Sequence, residues 1–298
     1  MVQPIKIPEP IVETQTDTMT SPWKDAWRKF KKNKIAVVGL SIVTFFILLA
    51  IFAPWIAPEG INEQKLPERL QAPSSEYWFG TDDFGRDVFS RVIHGARISL
   101  WVGFLAVVGS SIAGSALGII AGYYGRWIDA VISRLFDIML AFPSILLAIA
   151  VVSILGPSLQ NALIAIAIIN IPIFGRLIRS RVLSVKEEEY IMAARAIGMS
   201  DGRILFSHVL PNSITPIIVQ GSLAIATAII EAAALGFLGL GAQKPTPEWG
   251  AMLSASRDYL VQAPWTLFFP GLAIMLVVLG FNLLGDGLRD ALDPKMKT

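Results

Sequence analysis

The sequence predicts an all-α, polytopic membrane protein with six transmembrane helices, and three observations carry that prediction. Hydrophobic residues fill 54% of the 298 positions, charged residues only 16%, and the mean hydropathy is +0.59; a soluble domain carries about 25% charged residues. Six apolar runs approach or exceed the ~20 residues that a helix needs to cross a bilayer core. Within them only Asp137 and Glu231 are ionisable, in keeping with the cost of a charge in hydrocarbon.

The runs are Ile35 to Ala57, Ile98 to Gly122, Leu135 to Leu155, Leu159 to Gly175, Ile214 to Gly241 and Trp265 to Gly285. The first follows a polar tail ending KFKKNK and has no small-residue cleavage site, so it reads as a retained anchor rather than a removed signal peptide. Three regions follow: a tail at 1–34, expected to be disordered up to about Ser21; the first transmembrane helix and an extracytoplasmic loop at 35–97; and a core of five transmembrane helices at 98–298 with a polar loop at 179–213. Lys and Arg concentrate in cytoplasmic loops. With the N-terminus inside, only Lys65, Arg69, Arg86, Arg91, Arg97, Lys244 and Arg257 of the 25 basic residues fall outside. Both termini and the polar loop are therefore read as cytoplasmic.

The outer loop from Pro58 to Arg97 has two characters. PEGINEQKLPERLQAP reads as irregular linker, whereas Val88, Phe89, Val92 and Ile93 have helical spacing and predict a short interfacial helix before the second span. A second outer segment, Pro247 to Tyr259, with Trp249, Met252, Leu253 and the following Leu260 near one helical face, predicts a helix at the outer surface.

Several function classes lose support. The absence of cysteine excludes disulfides and thiolate metal sites, and His94 and His208 alone cannot build a metal cluster, so no metal site is predicted. His94, beside Arg91 and Arg97, reads as ordinary surface chemistry. A net charge of +2 gives no reason for a nucleic-acid partner. The chain contains no G-x-x-x-x-G-K-[ST] phosphate loop, catalytic triad or nucleophile elbow, so no catalytic residue is assigned.

The segment from Arg179 to Pro211, RSRVLSVKEEEYIMAARAIGMSDGRILFSHVLP, is a polar island between apolar runs. Tyr190, Ala193, Ala194 and Ile197 share one face of a predicted helix, and the small side chains allow a second protein to approach its backbone. Gly198 stops that helix, Ser200 or Asp201 caps a second, and Pro211 ends it. On spacing alone the segment is equally a solvated connector.

Ala193-Ala194, three residues, Gly198, and then Leu210-Pro211 resemble the cytoplasmic loop signature of ABC-type importer permeases, with Met192 in place of its Glu and His208 in place of its Ile. WKDAWRKFKKNKIAVVGL, FGTDDFGRDVFSRVIHGARISL, EYIMAARAIGMSDGRILFSHVLPN and ALGFLGLG, in this order, resemble the C-type permease subunit of dipeptide, oligopeptide and nickel importers. The resemblance covers nearly all of the chain after Ser21. It implies a type I ABC importer permease fold in a prokaryotic cell membrane, a homologous permease partner, two cytoplasmic ATPase subunits and an extracytoplasmic solute-binding protein. It further implies that Tyr190, Ala193, Ala194, Ile197 and Gly198 form a coupling helix and turn, with Leu210 and Pro211 fixing the return to the membrane. ATP and Mg would act in the partners, this chain binding no cofactor. Peptide is the implied cargo, with nickel or another small solute as the alternative.

Inside the spans, Glu231 reads either as a pathway residue or as a buried helix-helix hydrogen bond, and Asn170 with Pro172 as a polar kink that could line a path. Gly236, Gly239 and Gly241 read as close packing or a bend. Arg134 and Asp137 read as an ion pair, and Arg86 and Asp87 either as a structural pair or as part of a receiving surface. An ATP-independent secondary transporter or a membrane scaffold are the rival classes; two isolated carboxylates are thin material for an ion relay.

Overall fold

A long apolar stretch in hydrocarbon must satisfy its backbone N–H and C=O groups internally, which leaves helix as its conformation. The structure, a computed structural model, describes residues 22–292; the expected disorder up to Ser21 and the terminal Lys295 and Lys297 lie outside the described residues. Among those described, the α-helices are α1 (Pro22–Lys32), α2 (Lys34–Ile56), α3 (Val88–Tyr124), α4 (Arg126–Leu140), α5 (Ser144–Leu155), α6 (Leu159–Val185), α7 (Glu189–Ala196), α8 (Asp201–Ile204), α9 (Leu210–Phe237), α10 (Trp249–Ala255) and α11 (Trp265–Leu292).

Among the described residues, five helices are long and apolar enough to cross a membrane: α2, α3, α6, α11, and a continuous 37-residue helix from Asp201 to Phe237 that contains α8 and α9. The third predicted span, Leu135 to Leu155, is corrected. It is two helices, α4 and α5, meeting at 95°. Pro143 causes the break, since its ring disfavours a helical Phe142 and it has no N–H to extend the ladder. Helix α6 also runs past its predicted end at Gly175, and it continues without interruption through Pro172.

Helices α3 and α6 run side by side in the same direction. Backbone-to-backbone contact here requires glycine: a Cβ on Gly114 would lie 2.5 Å from the Ile171 carbonyl oxygen, one on Gly118 would fall on the Gly175 carbonyl, and one on Gly122 would lie 2.9 Å from the Val182 Cβ. Such four-residue spacing of small residues is how membrane helices gain van der Waals contact without a hydrophobic driving force. Because α3 and α6 are parallel, the bent α4–α5 pair must carry the chain back between them, and it serves as the sixth crossing. Two apolar clusters fill the interior, one among α3, α5, α6 and α9, the other among α2, α3, α9, α10 and α11.

The end of the bundle that carries the Arg179 to Pro211 insert also holds α1, the start of α2 and the ends of α3, α6 and α11. Phe30 of α1 packs with Ala36 of α2 and Ala291 of α11, and Tyr123 of α3 packs with Val185 of α6 and Ile191 of α7.

At the opposite end, the loop read as a linker is irregular in path but fixed in place. Lys65 pairs with Glu59 and donates to the Tyr77 hydroxyl at 3.1 Å, and Trp265 donates to the Thr81 carbonyl at 3.1 Å. The Glu59 carboxylate holds the Lys65 ammonium above its ordinary range. Arg86 pairs with Asp82 at 2.7 Å, while Asp87 accepts from the Phe89 and Ser90 amides and caps α3. Arg86 and Asp87 therefore each have a structural role without pairing to one another.

Two further expectations are refined here. The short interfacial helix is the first part of α3 itself. Helix α10 is half sunk into the bundle, with none of its residues fully exposed: Trp249 is fully enclosed and donates from Nε1 to the Val92 carbonyl at 3.0 Å. Glu248 caps α10 by accepting from the Gly250 and Ala251 amides at 2.9 and 2.8 Å, and burial pushes its carboxyl up.

Candidate functional site

The insert is built around a helix stop. Helix α7 ends at Ala196 with Ile197 as its C-cap, and Gly198 takes a left-handed φ of +81°. The Gly198 amide donates to the Arg195 carbonyl at 2.9 Å and the Met199 amide to the Ala194 carbonyl at 3.0 Å. This is the paired pattern of a glycine C-terminal cap, and it turns the chain into α8. Nothing lies within 4 Å of where a Gly198 Cβ would sit, so the glycine is required by φ and not by space.

The expected face is divided by the structure. Ile191 and Ala194 turn inward, against Ile204 and Val209, leaving Ala194 only 6% exposed. Burying the larger Ile191 rotates α7 enough to take Ala194 with it. The surface that remains carries Tyr190, Ala193 and Ile197, with Ile197 80% exposed. Two further large apolar side chains of the insert are exposed: Met192, noted in the sequence only as a departure from the loop signature, and Phe206, not singled out there, which is 74% exposed. Their signal was available: both are large apolar side chains in an otherwise polar segment.

Two anchors hold the insert to the bundle. The Tyr123 hydroxyl donates to Asp201 at the start of α8, and the Arg195 guanidinium lies over the Tyr123 ring at 5.3 Å. Asn212 donates to the Tyr190 hydroxyl at 3.3 Å and to the His208 carbonyl at 2.7 Å.

Pro211 does not end a helix. Residues Leu205–Val209 form one wide π turn in which the Leu210 amide donates to the Leu205 carbonyl, and the helix continues through Pro211 into α9. Widening the turn relieves the clash of the proline ring with the preceding turn's carbonyl. Leu210 is half-buried and Pro211 exposed at this point.

The two polar residues inside the spans meet. Asn170 on α6 donates from Nδ2 to Glu231 on α9 at 3.1 Å and to the Ile166 carbonyl at 2.9 Å, both side chains being buried. The Ser144 hydroxyl, at the start of α5, also interacts with the Glu231 carboxylate. Three helices are thus linked beside the break at Pro143, and the buried hydrogen-bond reading of Glu231 describes the geometry. Removing the donor should hurt more than neutralising the acceptor, because it leaves a buried carboxylate short of a partner. We expect Asn170→Leu to cost roughly 1–3 kcal/mol and Glu231→Gln to cost less. Thermal unfolding in lipid discs checks this, and equal losses would contradict it.

The remaining candidates separate. Asp137 pairs with Arg176 of α6 rather than with Arg134, and Asp129 pairs with Arg179, so α4 is tied to α6. Arg134 borders a shallow groove with Val131, Leu135 and Ile138. Gly236 is packed against the Glu248 carboxylate and the Ala251 amide, and Gly239 has a φ of +78° just past the end of α9. His94 is half-buried.

Residues 114–298 match the model of the binding-protein-dependent transport system inner membrane component. The chain belongs to that family. It is an ABC transporter permease, and residues 21–73 match a second model, the N-terminal transmembrane domain of oligopeptide transport permease C. A dipeptide transport system permease protein from Alkalihalophilus pseudofirmus is 66% identical over 99% of this chain and 98% of its own length. A di/tripeptide transport system permease protein from Pseudomonas aeruginosa is 49% identical over 93% of each chain. A glutathione transport system permease protein from Escherichia coli is 50% identical over 94% of this chain and 93% of its own. Among solved structures, the MetNI methionine ABC transporter in an inward-facing conformation has a TM-score of 0.54 at 20% identity, covering 68% of this chain and 97% of that one. That likeness concerns the fold. The permease core thus falls on the helices that carry both the insert and the Asn170–Glu231 pair.

Proposed function

We propose that this permease is one half of the membrane pathway of an ATP-driven peptide importer, paired with a second, homologous permease in the cell membrane. Two cytoplasmic ATPase subunits, in which ATP and Mg act, drive it through the insert, and an extracytoplasmic binding protein delivers cargo. The insert end, with both termini, faces the cytoplasm, as the placement of Lys and Arg favours. The observation that carries this reading is the apolar surface of Tyr190, Ala193, Ile197 and Phe206 on a helix-turn unit that continues into a membrane span. Exposed apolar groups on an otherwise charged segment call for a partner surface.

The mechanism follows from continuity. From Asp201 to Phe237 the chain is one helix, about 55 Å long at the usual rise per residue. A push on the insert reaches Glu231 along that helix. Through Asn170 and Ser144 the movement then acts on α6 and on the break before α5. The π turn at Leu205–Val209 is the place where the lever can flex. ATP binding would close the ATPases and turn the pathway outward to receive cargo, and hydrolysis would reset it. The exposed apolar stripe of Val131, Leu135 and Ile138 on α4 offers a surface to the second permease.

Peptide is the cargo this reading favours, since relatives over nearly the whole chain are named for dipeptide, di/tripeptide and glutathione transport. Competition of unlabelled dipeptides against labelled dipeptide uptake by cells carrying the full transporter tests it. Competition by nickel or by single amino acids, with none by dipeptides, would overturn the cargo assignment alone.

A further inference from the structure

Helix α1 is unlike every other described helix in being short, basic and only partly used by the fold. Its buried side is accounted for: Ala26 and Phe30 are enclosed, and Phe30 packs with Ala36, Leu284 and Leu288 where α2 and α11 meet. Its opposite side is a contiguous face of Lys24, Trp27, Arg28 and Lys31, spaced as one helical stripe and exposed along its length. Trp27 is 51% exposed, stacked on Phe30 at 5.7 Å, with the Lys31 ammonium 4.9 Å from its ring centre. The helix's single acid, Asp25, is half-buried, so no carboxylate of α1 lies fully exposed beside these cations.

The first apolar helix, α2, begins one residue beyond the end of α1. Asn33 ends α1 and caps α2 by accepting from the Ile35 and Ala36 amides at 3.1 and 3.2 Å. Ile35 and Val38 are then exposed on an apolar span that is open to lipid. A basic face with one indole, tied by a rigid cap to the first turn of a membrane helix, sits at headgroup level. Lys and Arg meet anionic phosphate there, and Trp finds the half-wet layer that it prefers.

We propose that the Lys24, Trp27, Arg28 and Lys31 face of α1 binds anionic phospholipid at the insert side of the membrane, holding α1 against the ends of α2 and α11. An acidic protein surface is the competing occupant. The lipid is favoured because the same face carries the indole and continues directly into the lipid-facing residues of α2.

The chain has no cysteine, so Lys32→Cys gives the full-length protein a single labelling site at the end of α1. We expect a fluorophore there, in vesicles of mixed lipid, to be quenched more strongly by an anionic headgroup-nitroxide lipid than by a zwitterionic one. The expected preference is at least about fivefold, the effect of one basic side chain at an anionic surface. It should fall several-fold in high salt and vanish when Lys24, Arg28 and Lys31 are changed to Gln. Equal quenching by the two lipids, or a preference that neither salt nor the triple change reduces, overturns the proposal. If the triple variant does not fold, the salt titration of the labelled parent decides. Loss of quenching when the ATPase subunits are added would assign the face to protein and also overturn it. None of these outcomes touches the transport reading, which rests on other residues.

Discussion

Replacing Ile197 with arginine is expected to leave the permease folded and inserted while sharply reducing its ATP-driven uptake. Ile197 is 80% exposed, so the change removes almost no internal contact. It places a charge among the exposed apolar side chains that the ATPase subunit is proposed to grip. An apolar anchor of this kind contributes roughly 2 kcal/mol or more to an interface, which corresponds to about thirtyfold weaker docking. Co-purification of the ATPase subunits and ATP-driven uptake would both fall. Ala194→Arg is the instructive contrast. That side chain points into the cluster of Ile191, Ile204 and Val209, so the substitution should lower the stability of the permease itself. Unchanged ATPase association and uptake in Ile197→Arg would remove the insert from its proposed role.

The largest stability effect is expected at Gly118. A leucine there would drive α3 and α6 apart, because its Cβ alone would overlap the Gly175 carbonyl oxygen and press on the backbone of Arg179. Overpacking a core commonly costs 1–3 kcal/mol, and a clash against backbone, which cannot rotate away, should cost about 3 kcal/mol or more. The loss would extend beyond the pair. Gly175 also faces the Phe136 ring of α4, and α6 holds Asn170, so a displaced α6 disturbs the bent span and the Glu231 contact together. Thermal unfolding and protein yield measure the effect. Gly109→Leu is the control, since a Cβ there meets only Ala167 at 3.6 Å; equal losses at the two positions would contradict the close-contact account.

Most of the architecture was legible because hydropathy reports what a bilayer demands. The first, second, fourth and last spans need only length and apolarity to be recognised. The break at Pro143 was not legible in the same way, because the apolar run continues across it and a composition window registers one span. Asp137 near the inner end of that run was a hint, but its partner Arg176 lies on another helix. The π turn at Leu205–Val209 was hidden for a related reason. Pro211 carries the same letter whether it stops a helix or sits just after a widened turn.

The candidate site was legible as a segment, less so as a surface. Gly198 announced the turn by residue type, and its φ bears that out. The exposed face depended on which way α7 rolled, and burying Ile191 decided that at the expense of Ala194. Asn170 and Glu231 were each conspicuous as polar residues in apolar runs. Their pairing is a long-range contact that only the fold provides. Glu248 was missed entirely, because a glutamate in a loop sequence gives no sign that the following helix will sink into the bundle.

The central claim is that this chain moves cargo only when driven from outside itself. The most direct measurement is labelled dipeptide uptake into proteoliposomes, made with the two permeases and the binding protein, with and without the ATPase subunits and MgATP. Uptake should require both ATPase and MgATP, and should be lost in Ile197→Arg vesicles of equal protein content. Undiminished uptake without the ATPase subunits, in vesicles shown to be sealed, would contradict the account and establish this chain as part of a self-sufficient transporter.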